Sequence, residues 1–158
     1  MAKRANLYLA QAGQAVVMAE FLARGWNVAV PQVDVGDDLF IVCDSNGQFT
    51  RTQVKTASAQ QRSYGYSAQF RLPLKQLQTV STPELTYVFV VRNQQTWSSF
   101  TLMPRQELNR LYQIYGIGTV AENYLLLTFQ YEQSLLRCSA QDLSKYLNNW
   151  TQFPIIDS

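Results

Sequence analysis

The chain has 158 residues, 47% of them hydrophobic and 15% charged, with a net charge of +2. That length and apolar share suit one compact domain with a real core and exclude a disordered chain. No histidine occurs in the sequence, which excludes a Ser-His-Asp triad, a histidine general base and most zinc sites.

Nine of the 13 basic residues are Arg, the side chain suited to bidentate phosphate contacts. With so small a net charge, a DNA-binding face has to be a local patch or be assembled in an oligomer. Cys43 and Cys138 are too few for a disulfide framework, and Cys43 lies in an apolar run that reads as core. The basic start is not followed by a long apolar stretch, and no segment is long enough to span a bilayer. The expectation is a single cytoplasmic domain over 1–158, with no membrane association.

In chain order, residues 6–24 read as an amphipathic helix, with Leu7, Ala10, Val17, Phe21 and Ala23 among good helix formers and Gly25 as the stop. Residues 26–30 form a short strand ending at Pro31, and 32–37 turn at Gly36. Residues 38–43, Asp-Leu-Phe-Ile-Val-Cys, are apolar on both faces after the first, the pattern of a central strand buried on both sides. Asp44-Ser-Asn-Gly is a tight turn, after which 49–56 return as the hairpin partner. The polar, aperiodic stretch 57–65 reads as a loop overhanging whatever lies at residue 55. Strands follow at 67–72, 84–92 and 98–103, the last two paired across Asn93-Gln-Gln-Thr. Pro104 opens a helix through Tyr115, with Leu108, Leu111 and Ile114 on one face, and 123–131 form another strand. Ser139-Ala-Gln-Asp142 reads as a capping box opening a last helix through Asn149, and the apolar tail from Trp150 docks. This order predicts an α/β fold, a mixed central sheet flanked by helices.

The hairpin carries the chemistry. Side chains alternate along a strand, so Gln53 and Lys55 share one face while Val54 points into the core. Asp38, at the mouth of the neighbouring strand, can join them. A hard divalent cation takes oxygen ligands, which Asp38, the Gln53 side chain and the Val54 carbonyl can supply. Such an ion supplies acidity to water and charge to a phosphate, and Lys55 can orient the water or neutralise a developing oxyanion. Arg51 shares this face; Arg62, Tyr64 and Tyr66 in the following stretch can hold phosphate or stack on bases. Each of these residues, taken singly, also fits an ordinary structural role: a strand-end pair for Asp38 and Lys55, an irregular polar loop for 60–66.

Together, Gly13-Gln14 through Gly25-Trp26, Pro31, Asp38 before an apolar strand, and Gln53-Val-Lys55-Thr-Ala resemble the PD-(D/E)XK nuclease superfamily, in particular small bacterial endonuclease-like proteins with a Gln-Val-Lys motif. The resemblance spans the first third to half of the chain. It implies a restriction-endonuclease-like core, a DNA substrate, Mg²⁺ or Mn²⁺ as weakly held cofactor, and a homodimer or larger assembly, since cutting both strands needs two sites. It also implies a Glu on the first helix, and counting back from Gly25 puts Gln14 at that position; Glu20 lies about 120° around the helix from it. With Gln at both 14 and 53, Asp38 is the one assured carboxylate, with Asp34, Asp37 and Glu20 as possible supplements. Two functions therefore stand open: a divalent-metal-dependent DNA endonuclease, and a catalytically degenerate nuclease fold acting as a nucleic-acid-binding or accessory protein. An interaction protein of accidental resemblance is the third.

Overall fold

The computed structural model describes residues 2–157. Helix α1 (Ala2–Ala23) leads into β1 (Asn27–Ala29), β2 (Leu39–Val42), β3 (Phe49–Ser58), β4 (Gln60–Arg62) and β5 (Gly65–Pro73). A short helix α2 (Leu74–Gln78) precedes β6 (Leu85–Asn93), β7 (Thr96–Pro104) and α3 (Arg105–Tyr115). The chain ends with β8 (Thr119–Ala121), β9 (Tyr124–Glu132), β10 (Leu135–Cys138), β11 (Gln141–Asp142) and a 3-10 turn at Ser144–Tyr146.

The first sheet is mixed, in the order β1-β2-β3-β6-β7, and β3 and β6 are its parallel pair. Alternation along β6 divides the interior in two. Val88 and Val90 join Val54 of β3, Leu39 and Ile41 of β2, and Val17 and Phe21 of α1 on one face. Leu85, Tyr87, Phe89 and Val91 pack on the other face against Phe70, Leu72, Leu127 and Phe129. Those partners belong to a second, antiparallel sheet, β11-β10-β9-β5-β4 with β8 on β9. The doubly buried central strand is thus β6. On β2 only Leu39 and Ile41 are fully buried, while Phe40 is half-buried and packs at 5.1 Å on Phe49. The two-sided apolar run at 38–43 therefore marks a strand beside the edge strand β1, not the sheet centre.

Two other expectations change. The stretch 57–65 is not a loop: β3 runs on to Ser58, and β4 with β5 makes a hairpin. Its polar Ser58 and Gln60 alternate with buried Ala57 and half-buried Ala59, and a strand with one solvated side lacks the apolar run that signals a buried one. Residues 139–149 are not a helix. Ser139 and Ala140 take left-handed backbone angles, φ 49° and 65°, that turn β10 into β11. Asp142 accepts the Ser144 N–H at 2.8 Å, a cap for a single turn only. The mixed sheet is flanked by helices as expected, α1 on one face and α2 with α3 on the other, where β5 and β9 also pack.

The tail docks as expected. Trp26 Nε1 donates to the Pro154 carbonyl at 2.9 Å, and the Phe153 ring meets Phe21 and Trp26 edge-on at 4.9 and 5.2 Å. No described helix is long and apolar enough to cross a membrane.

Candidate functional site

The register of the β2–β3 hairpin, Leu39 opposite Thr52, brings Asp38 beside Gln53 just ahead of the start of β2. The Asp38 N–H still bonds the Thr52 carbonyl at 2.9 Å, so the backbone is held up to the last residue before the gap. Into that gap β3 presents groups the ladder no longer uses. The Val54 N–H donates to Asp38 Oδ2 at 2.7 Å, and Gln53 Nε2 donates to the same oxygen at 2.6 Å. The N–H and C=O of a strand residue point to the same side, so the Val54 carbonyl also faces the gap. Among the described residues, no hydrogen bond reaches the other carboxylate oxygen, Oδ1.

Burial pushes the Asp38 carboxyl above its usual range; the Val54 N–H and the nearby Lys55 pull the other way, and Asp34 and Asp37 add to the rise. Burial likewise lowers the Lys55 ammonium from its ordinary value, opposed by Asp38 and Asp34. The two side chains thus feel each other's charge without making a direct ion pair. Asp37 is buried and taken by Arg51 at 2.8 Å. Asp34 closes an Asx turn on the Gly36 N–H at 3.0 Å. No group of three Asp, Glu or Cys side chains among the described residues converges closely enough to share an ion.

One participant carried no signal in the sequence. Gln76 of α2 sits over Gln53, with its Nε2 2.8 Å from the Gly36 carbonyl and 3.2 Å from Gln53 Oε1. The Tyr87 hydroxyl, on the strand parallel to β3 and in register with Gln53, donates to Gln76 Oε1 at 3.1 Å. The sequence predicts a Gln53 oxygen offered beside Asp38; in the structure that oxygen faces Gln76 and the Gln53 N–H faces Asp38. The short α2 gives no helical periodicity to read, so nothing in the sequence ties Gln76 to a strand 23 residues earlier.

The structure therefore joins Asp38, Gln53 and Val54 and sets Lys55 beside them. It leaves the other expected residues apart. Gln14 is half-buried on α1, which packs on the Val54 face of the sheet, opposite to Gln53 and Lys55. Among the described residues no hydrogen bond links Gln14 to Asp38, Gln53 or Lys55. Glu20 is paired with Arg24 at 3.7 Å. Tyr66 stacks on Tyr131 at 4.7 Å, and its hydroxyl is bonded to Ser99. Arg62 is tied to Ser67 and Gln60, at 3.1 and 2.7 Å, on a strand that runs on from Lys55 instead of folding back over it. Tyr64, beside it in the hairpin turn, is exposed.

The profile of the PD-(D/E)XK endonuclease family matches residues 6–113, more than half the chain. The protein belongs to that family. Its fold is also similar to that of a solved bacterial homing endonuclease, I-Ssp6803I, with a TM-score of 0.50 over 90% of this chain and 87% of the other, at 14% identity. No curated protein sequence matches. The family match extends from α1 through most of α3, so it takes in both strands of the site hairpin and Gln76.

Proposed function

We propose that the protein is a divalent-metal-dependent DNA endonuclease whose ion, Mg²⁺ or Mn²⁺, is held at Asp38, just ahead of β2. The observation that carries this reading is the capture of Asp38 Oδ2 by two donors, which aims the remaining oxygen at the gap that the Val54 carbonyl also faces. Those are hard oxygen donors and fit such a cation, weakly, because only one of them is charged. Gln53 adds a third oxygen only if its amide turns over; as it stands, it fixes the Asp38 rotamer. A bound divalent cation supplies Lewis acidity toward the scissile phosphate. Lys55 then neutralises charge on the phosphate oxygens, and its half-buried position strengthens that interaction. Arg51, shared with Asp37, can still offer its exposed edge to a flanking phosphate, and Arg62 with Tyr64 can meet DNA further along. Gln14 is given no chemical step. A homodimer supplies the second site that duplex cleavage requires, and the exposed Leu7 and Tyr8 of α1 are apolar surface available for it. Nicking of supercoiled plasmid with Mg²⁺ or Mn²⁺ tests the proposal; no nicking in either metal refutes it.

A second reading is favoured by the lone carboxylate and the turned-away oxygen of Gln53: a nuclease fold that binds nucleic acid without cutting it. DNA binding that weakens steeply with salt, with no cleavage, supports that alternative.

A further inference from the structure

The orientation of every amide in the cluster follows from one group that cannot change sign. The Gly36 carbonyl only accepts, so Gln76 must turn its nitrogen to it, at 2.8 Å. The second proton on that nitrogen goes to Gln53 Oε1 at 3.2 Å, while Tyr87 donates to the Gln76 oxygen at 3.1 Å. Gln53 is then left with only its N–H for Asp38, at 2.6 Å. Turning Gln53 over sets its NH₂ against the NH₂ of Gln76 and its oxygen against a carboxylate. A cation beside Asp38 relieves the second conflict and does nothing for the first.

We infer that Gln76 is a positioning residue that decides what Gln53 shows the ion: by holding the Gln53 oxygen, it keeps Gln53 a hydrogen-bond donor to Asp38 and out of the ligand set. The inference rests on the reading of Asp38 as the ion-binding carboxylate. Its consequence is a site held weak by a neutral side chain one layer back, rather than by the lack of a third oxygen.

The test is Mn²⁺ binding to the full chain without DNA, read from the electron paramagnetic resonance signal of the free ion. In Gln76→Glu, position 76 only accepts, so Gln53 donates to it and turns its oxygen to Asp38. The dissociation constant for Mn²⁺ is expected to fall roughly tenfold, the worth of about one hydrogen bond. Added negative charge alone would also tighten binding, so the same change is made in a Gln53→Leu background, where only the part due to charge is expected to remain. A gain undiminished there, or no gain in the first place, overturns the role of Gln76. Gln76→Met removes all three bonds of Gln76 without adding charge. It is expected to give a smaller gain that also needs Gln53, and it carries the same cycle if the Glu variant does not fold. Asp38→Ala separates the two claims. Mn²⁺ binding untouched by that change, or absent from every variant, overturns the metal site itself. Binding lost in Asp38→Ala but unmoved by either change at 76 overturns only the inference about Gln76.

Discussion

Gly13 is buried in the middle of α1, where a glycine costs a helix roughly 1 kcal/mol relative to alanine. The contact with β3 accounts for it. A Cβ on Gly13 would stand 2.1 Å from Thr56 Oγ1, 2.6 Å from Cγ2 and 2.9 Å from Cβ, all closer than such atoms come. The nearest two atoms belong to a β-branched side chain with few rotamers, so it cannot simply swing aside. Gly13→Ala therefore sets a helix-propensity gain of about 1 kcal/mol against an overpacking cost of about 1–3 kcal/mol. The contact is tight enough to put the cost near the top of that range, for a net loss of about 2 kcal/mol in urea denaturation. In a Thr56→Ala background two of the three clashing atoms are gone, and most of the loss should disappear. Because Thr56 follows Lys55, the single variant should also cut Mn²⁺-dependent cleavage more than its stability explains. An alanine at 13 that is neutral or stabilising, or a loss indifferent to Thr56, would refute the claim that helix and strand are held in direct backbone-close contact here.

Asp38→Asn should raise the melting temperature of the ion-free protein at pH 7. The folded carboxyl titrates above its ordinary value, so its charge opposes folding once the pH has passed that range, and the wild type should lose some stability as pH rises through it while the variant does not; a lower melting temperature in the variant would contradict this. Glu107 behaves oppositely. Its pKa is held down to about 2 by Arg110 and Tyr146, so the stability it contributes is present above the ordinary glutamate value and is lost as pH falls toward 2; Glu107→Gln should flatten that acid limb in a pH series of thermal melts. Arg105 is buried, with bonds to Glu84 at 2.7 and 3.1 Å and to the Leu77 carbonyl at 2.7 Å. Arg105→Ala should cost about 3 kcal/mol in urea denaturation, the low end for a broken buried pair because Glu84 keeps some solvent.

The site hairpin was legible because its determinants are local. Alternation fixes which side Gln53, Val54 and Lys55 face, and the Asp44-Ser-Asn-Gly turn fixes the register that sets Asp38 opposite Gln53. The strands of the first sheet were readable for the same reason. In the second sheet the alternation showed β5 and β9, as strands at 67–72 and 123–131, but not β4 and β10, which are short, half-polar strands held by hairpin pairing with β5 and β9. The capping box at Ser139 misled because left-handed angles at Ser139 and Ala140 end a hairpin there before a helix can begin. Gln76 lay beyond reach altogether: a glutamine on a five-residue helix acquires its meaning only from the Gly36 carbonyl and Tyr87. Gln14 shows the reverse. Counting turns back from Gly25 located it on the helix, but which face of the sheet the helix covers is a tertiary fact.

The most direct measurement is single-turnover cleavage of a labelled DNA duplex in Mn²⁺ by the wild type, Asp38→Asn and Lys55→Met, each checked for folding. If the gap beside Asp38 is a working nuclease centre, the wild type cleaves, and each variant falls by about a hundredfold or more, the usual loss when one charge-stabilising group is removed. Cleavage that persists undiminished in both variants would place the chemistry elsewhere, and no cleavage by the wild type would contradict the endonuclease reading.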